Sequence, residues 1–559
     1  MSEFYEYLRS VYRLSSKVSL AGFSRGGLFA FNWAVANPEK VAAIYADNAV
    51  CDFKSWPGGK GIGVGSKKDW ERLLGVYQFP NEDTALNYAS NPVDTLKVLV
   101  DASIPIVGFS GKADSVVPFS ENIGLVQDRY AKLGGEISVI QRPFTNHHPH
   151  SLRDPMPIAD FLASHAFSVK TPSKQLGAPS GTTPFGYNYH ALRNGLPNAL
   201  KTFSAGGAAR VAFLGGSITQ MKGWRDMVAE DLQKRFPKTQ FDFVHAGIGS
   251  LGSTPGAFRL DRDVLSKGRI DLLIAESAVN DSTNGHTDVE QVRAVEGIVR
   301  NAITANPACD VLLLYFVDPP KMDDIRKGQR PAVIRNHERV AAHYGLPSLD
   351  LAEEVTERIA AGEFSWEKDF KSLHPSPFGH EVYRKAIGRL FDVALELHAN
   401  PSPTSVPGPR VMPAALDKAN YGSGKLVNPT GDEVSGAWKK IERWDAAPGA
   451  GTRPGFVGIP ALVSEVPGEV ATFKFKGNAV GVFVAAGPDA GQLQFRIDGG
   501  EWQTRDLFTQ WSSGLHLPWA VVLAAGLPEA AHSLELRVDE ARNSASKGTA
   551  VRVLHFLVN

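Results

Sequence analysis

Cysteine is almost missing from this chain: two residues, Cys51 and Cys309, stand far apart in 559. Such a pair builds neither a disulfide framework nor a cysteine metal cluster, and its scarcity leaves the compartment open. An excess of one charge is missing too. Lys and Arg number 59, Asp and Glu 59, and no long basic run occurs, so nothing recommends nucleic acid or an anionic membrane as a partner. A run of about 20 apolar residues is absent, which excludes a transmembrane helix. No signal peptide opens the chain, although the motif around Ser24 implies a native start further upstream. A periplasmic or secreted location would follow in that case, and a cytoplasmic one otherwise. What remains is an ordinary globular composition, 43% hydrophobic and 21% charged. The chain is too long for one core, and three or four domains are expected.

Residues 211–219, Val-Ala-Phe-Leu-Gly-Gly-Ser-Ile-Thr, are the stretch the rest is organised around. The apolar run reads as a buried parallel strand, and two glycines bring Ser217 out of it. Over 223–236 the spacing of Trp224, Met227, Val228 and Leu232 predicts a helix. Open α/β folds place their chemistry at such carboxyl ends of strands. Across 191–398 strand and helix patterns alternate, which predicts a parallel sheet covered on both faces. Strands are expected at 211–214, 241–245, 270–275 and 311–317, with helices at 191–203 and 381–397.

Four blocks fall at the ends of these strands. Ser217 follows the first. The glycine-rich run 246–253, containing Gly249 and Gly252, follows the second and can aim backbone N–H groups at an anion. Ala278-Val279-Asn280-Asp281 follows the third, and His374-Pro375-Ser376-Pro377-Phe378-Gly379-His380 precedes the last helix. Taken singly, Asn280 reads as a turn residue, His374 as a loop histidine, and Arg259 and Asp281 as ion-pair partners. Their occurrence together and in order is the signal.

These blocks resemble the SGNH (GDSL-type) hydrolases over the whole 205–398 stretch. The resemblance implies a three-layer α/β domain with Ser217 as nucleophile and His374 as base. It assigns Gly252, or else Gly249, as a backbone oxyanion donor, and Asn280 as the side-chain donor. Ala278 stands where the family usually has glycine. The family's acid usually lies three residues before the histidine, where this chain has Lys371. Asp369 is the substitute nearest in sequence, with Glu367 and Asp350 also available. Failing a carboxylate, a backbone carbonyl would orient the imidazole and leave a dyad. Gly-Gly-Ser-Ile-Thr, 256–260, 276–281 and 374–379 resemble acetyl esterases of carbohydrate esterase family 20, which act on plant polysaccharides. That likeness implies an acetylated oligo- or polysaccharide substrate and neither a metal nor an organic cofactor. It does not address the oligomeric state.

Residues 1–167 carry a second motif. A strand expected at 17–21 leads into Gly22-Phe23-Ser24-Arg25-Gly26, and a helix is expected over 27–37. Glycines flanking a nucleophile fit a strained strand-to-helix turn that leaves no room for side chains. Apolar runs at 41–45, 104–109 and 137–140 read as strands. The second leads to Asp114, the third to His147-His148-Pro149-His150. The order Ser24, Asp114, His147 resembles an α/β-hydrolase triad. Only 23 residues precede Ser24, so a partial α/β-hydrolase domain is expected, short of its first strands and half its oxyanion hole. Such a module is expected to contribute little turnover.

Residues 168–190 read as a Ser/Pro/Gly/Thr-rich linker. From 399 to 559 the pattern turns to strict alternation at 471–476 and 492–497, with Asp498-Gly499 as a hairpin signal. A β-sandwich accessory domain of jelly-roll type is expected there. Trp502, Trp511 and Trp519 could stack on sugar rings, or serve core and domain-interface packing. The chain thus reads as a multidomain acetyl esterase of xylan or xyloglucan type working at Ser217. Two rivals remain: a bifunctional esterase with a second active Ser24, and a carbohydrate-binding protein without catalysis.

Overall fold

A computed structural model describes residues 1–166, 187–399, 405–432, 437–446 and 450–559. The linker expected at 168–190 therefore lies, except for its last four residues, outside the described residues. The chain divides into two compact units. The first holds Met1–His190, Met322–Gln329 and Glu353–Phe364, and the second holds Ala191–Lys321, Arg330–Ala352 and Ser365–Asn559.

In the first unit, strands β1 (Val18–Phe23), β2 (Val41–Asp47), β3 (Ile106–Gly111) and β4 (Ile137–Arg142) pair in chain order, all parallel. Every residue of β2 and β3 is buried, as central strands covered on both faces require, whereas β1 and β4 are partly exposed edges. Helix α1 (Gly26–Ala36) follows β1 and buries Phe31, Trp33 and Ala34 in the core. Between β2 and β3 an insertion builds an aromatic cluster in which Phe53 stacks on Tyr88 and Tyr77 on Phe79, with ring centroids 5.2 and 5.5 Å apart. Residues 353–364, which the sequence places in the second α/β domain, fold with this unit. Glu353 pairs with Arg142 and with Arg153 at 2.9 Å, and Glu357 accepts from the hydroxyls of Tyr187 and Tyr189. Pairs so distant in sequence leave no local pattern to read.

The second unit opens with helix α2 (Pro197–Ala205). The helix expected from 191 is thus shorter: Gly195 takes a left-handed φ of 67° and Pro197 occupies the first turn, which together set the start. Five strands follow: β5 (Gly207–Gly215), β6 (Thr239–Gly247), β7 (Leu272–Glu276), β8 (Asp310–Tyr315) and β9 (Ser348–Asp350). They run parallel in the order β9–β8–β7–β5–β6. Among the helices between them are α3 (Ser217–Gln220), α4 (Trp224–Arg235), α5 (Ser253–Asp263), α6 (Ala278–Thr283), α7 (Asp288–Ala305) and α8 (Ala332–His343), and α9 (Pro377–Ala399) follows the last strand. Two groups form, α2 and α4 on α9, and α5, α7 and α8 on one another, so the sheet is the middle of three layers.

The C-terminal strands form one continuous antiparallel sheet of eight, which curls over its own core. Two long strands, Val470–Ala486 and Leu517–Val538, pair along nearly their whole length, and the final strand Val551–Val558 pairs on the other side of the first. The alternation read from sequence is the burial pattern: Ala471, Phe473, Phe475, Leu493 and Phe495 face the core. Asp498 and Gly499 both turn with positive φ, 51° and 71°, between Gln492–Ile497 and Gln503–Asp506. Trp519 packs on the core, and Trp502 lies under the guanidinium groups of Arg496 and Arg537 at 4.7 and 4.0 Å. Trp511 is 39% exposed. Among the described residues no helix is long and apolar enough to cross a membrane.

Candidate active site

In the second unit Ser217 stands at the first position of α3, directly after β5 and Gly216. Its Oγ lies 2.7 Å from His374 Nε2 across 157 residues of sequence. The turn is anchored from beneath. Glu276, at the end of β7, accepts from Gly216 N–H at 2.7 Å and from the Thr219 hydroxyl at 2.9 Å. Arg259, wholly buried, donates to the Gly215 carbonyl at 3.1 Å and pairs with Asp263 at 2.9 Å. Burial pushes the Glu276 carboxyl up to about 7, against the pull of its two donors. Its Oε2 has no hydrogen-bond partner among the described residues.

Gly216 is glycine for a reason visible at the site: a Cβ there would sit 2.0 Å from Asn280 Oδ1. Asn280, on α6, thus lies against the nucleophile turn, and its Nδ2 is left as a donor. The glycine-rich loop is similarly crowded. A Cβ on Gly252 would meet Asp281 Oδ1 at 2.2 Å, the same oxygen that accepts Ser253 N–H at 2.7 Å. Gly249 N–H is spent on Gln220 Oε1 at 2.7 Å, so of the two glycines Gly252 is the one with a free donor. Among the described residues, Ser217 N–H, Gly252 N–H and the Asn280 amide have no acceptor within the chain. The loop itself is tied at both sides. Asn284 donates to the Ser250 carbonyl at 2.9 Å, and Arg453, from a loop between strands of the C-terminal sheet, donates to the Gly249 carbonyl and the Ser250 hydroxyl at 3.2 and 2.9 Å.

Asp281 is structural. Burial raises its pKa, but His286 and His337, at 3.2 and 2.9 Å, outweigh that and hold it far below the ordinary carboxylate range.

Asp369 does not reach His374, which corrects the expectation from sequence. Its Oδ2 accepts from the N–H and hydroxyl of Ser365, at 2.7 and 3.0 Å. A π-turn over Trp366–Phe370 and the left-handed Lys371, φ 80°, separate it from the histidine. Glu367 and Asp350 make no bond to the imidazole either, and among the described residues nothing accepts from His374 Nδ1. The His374 backbone is held instead by Ser372, whose hydroxyl bonds both its carbonyl and its N–H. Partial burial of the ring lowers its pKa below the ordinary 6.5. The arrangement is a Ser–His pair beside three unused N–H donors. It can deprotonate an alcohol and bind an oxyanion.

The first unit brings together its own three predicted residues. Ser24 follows β1 with a strained φ of 50°. Its Oγ lies 2.8 Å from His147 Nε2, and His147 Nδ1 lies 2.8 Å from Asp114 Oδ2. Asp114 Oδ1 is fixed by the N–H groups of Val116 and Val117. The glycines divide differently from the expectation. A Cβ would crowd Gly22 at 3.0 Å and Gly27 at 2.7 Å, whereas Gly26 has open space around it.

Residues 213–382 match the GDSL-like Lipase/Acylhydrolase family. No curated protein matches the chain. Among solved structures, the chain is similar to a two-domain esterase, CEX, active on acetylated mannans: 22% identity, 66% of this chain and 96% of that one covered, TM-score 0.52. The same protein co-crystallised with mannopentaose aligns with 22% identity, 66% and 95% coverage and a TM-score of 0.51. A catalytic mutant of Axe2, an acetylxylan esterase from Geobacillus stearothermophilus, aligns at 17% identity over 34% of this chain and 95% of its own, with a TM-score of 0.29. At these identities the CEX likeness is one of fold. The strand order, the Ser217 turn and the family match together identify a GDSL-type (SGNH) lipase/acylhydrolase domain in this chain.

Proposed function

We propose that the chain removes O-acetyl groups from acetylated plant polysaccharides or their oligosaccharides, of xylan or xyloglucan type, through an acyl-enzyme on Ser217. The observation that carries this reading is the 2.7 Å contact of Ser217 Oγ with His374 Nε2, beside three donors that have no acceptor among the described residues. His374 takes the Ser217 proton as Oγ attacks the acetyl carbonyl. The N–H groups of Ser217 and Gly252 and the Asn280 amide hold the oxyanion. His374 then protonates the departing sugar hydroxyl. A water molecule, deprotonated by the same imidazole, attacks the acetyl-serine and frees acetate and the Ser217 hydroxyl. With no carboxylate on Nδ1, the pair works as a dyad, its imidazole oriented by the loop that Ser372 braces.

The test is acetate release from acetylated xylan, xyloglucan and mannan fragments, mannan being the substrate class of CEX. Ser217→Ala should lower it by at least about 10³-fold. Unchanged turnover in a folded variant would refute the reading.

The complete Ser24–His147–Asp114 relay, with both links at 2.8 Å, favours a second reading in which Ser24 hydrolyses a different ester. Comparing Ser24→Ala with Ser217→Ala on one panel of acyl esters separates the two. The Ser217–His374 contact argues against the non-catalytic rival, because a binding module has no use for an activated hydroxyl. Labelling of Ser217 by an organophosphonate would exclude that rival.

A further inference from the structure

The histidine run of the first unit holds more than one catalytic imidazole. His147, His148 and His150 each offer a ring nitrogen within 4.8 Å of those of the other two. The rings meet edge to face, with centroids 4.9, 5.3 and 4.7 Å apart. Two of them are backed by carboxylates in the same way. His147 Nδ1 lies 2.8 Å from Asp114, and His150 Nδ1 lies 2.8 Å from Asp47. Asp47 is buried and is itself held by the Tyr45 hydroxyl at 2.5 Å and by Ser151 N–H at 2.7 Å. An imidazole that donates its Nδ1 proton to a fixed carboxylate presents a lone pair on Nε2, which is how metal-ligating histidines are oriented. His148 is exposed and has no hydrogen-bond partner among the described residues. Two carboxylates behind the cluster supply negative charge. The buried thiols Cys51 and Cys309 stand outside it.

We propose that these three histidines form a binding site for a borderline divalent cation, zinc above all, and that its occupancy switches off Ser24. Zinc takes the Nε2 lone pairs of His147 and His150 and one nitrogen of His148, with water as fourth ligand. What is lost is the 2.8 Å hydrogen bond in which His147 Nε2 accepts from Ser24 Oγ. With its lone pair on the metal, His147 can no longer take the serine proton. Zinc–nitrogen bonds of about 2.0–2.1 Å place tetrahedral ligands about 3.3 Å apart. The cluster must therefore tighten by up to about 1.5 Å, through rotation of the exposed His148 side chain together with small shifts of the His147 and His150 rings against their carboxylates.

The experiment uses the full chain, stripped with a chelator, and zinc alone as the probe. Calorimetry should show a zinc equivalent in the wild type that His148→Ala weakens by at least about 10-fold. His150→Gln keeps a donor to Asp47 while removing the lone pair, and should weaken zinc equally. Ser24→Ala should retain it. A fluorophosphonate that labels serine nucleophiles gives a second readout by peptide mass. Zinc should slow labelling of Ser24 in the wild type, His148→Ala should blunt that effect, and Ser217 should label at an unchanged rate. Equal zinc affinity in the wild type, His148→Ala and His150→Gln would overturn the site. Binding lost in the variants, with Ser24 labelling indifferent to zinc, would overturn the switch.

Discussion

Substituting Gly216 with alanine tests the catalytic geometry without touching either reacting side chain. The added Cβ would sit 2.0 Å from Asn280 Oδ1, and its next neighbour, the Leu251 carbonyl, is 3.4 Å away. A carbon–oxygen contact needs upward of about 3 Å. The Asn280 carboxamide must therefore retreat by about 1 Å, while the negative φ of −89° lets alanine take the backbone without left-handed strain. Displacing one oxyanion donor by that distance should lower kcat by about 10²-fold, and Asn280→Ala should cost about 10²–10³-fold. KM should change little, because the interaction is made in the transition state. If the alanine acts only by displacing Asn280, the double variant should be no slower than the worse single one. The assay is steady-state hydrolysis of 4-nitrophenyl acetate in a Ser24→Ala background, which isolates the Ser217 site. Wild-type kcat in Gly216→Ala, or losses that multiply in the double variant, would refute the oxyanion role given to Asn280.

Other expectations follow from the same residues. Asp369→Ala should change kcat/KM by less than about 3-fold, since its carboxylate serves Ser365; a collapse of activity would restore it as the orienting acid. The acid limb of kcat/KM should fall below pH 6.5, because burial lowers the His374 pKa and the neutral imidazole is the working form; a midpoint above 7 would contradict this. Glu276 titrates higher in the folded protein, about 7, than at its ordinary 4.5. The native state thus holds the extra proton between those values, and stability falls as pH rises through that window by about 3 kcal/mol. Glu276→Gln keeps an acceptor for Gly216 and should flatten that slope in melting temperature against pH; an unaltered slope would refute it.

The core of the candidate site was legible because it is local. A buried run, two glycines and a serine make a strand-to-turn junction wherever they occur, and Asn280 and His374 sit at the same carboxyl edge of the sheet. The orienting acid was not legible, because counting back from His374 assumes a regular approach. The π-turn at Trp366–Phe370 and the left-handed Lys371 carry Asp369 to Ser365 instead. Glu276 under the nucleophile turn and Arg453 on the glycine loop were invisible for another reason: each acts on residues some 60 or 200 positions away through side-chain hydrogen bonds. The same holds for residues 353–364, which fold with the first unit through Glu353 and Glu357. At the Ser24 turn the motif named the wrong glycine, since only the fold puts Gly27 against Ala49 and Val50.

Catalysis by the Ser217–His374 pair requires that Ser217 carry the acyl group. Rapid quenching with an acetylated oligosaccharide, followed by peptide mass spectrometry, should find acetyl on the Ser217 peptide in the wild type and none in His374→Ala. Acetate release at the wild-type rate with Ser217 never acetylated, or acetylation that persists without the imidazole, would contradict it.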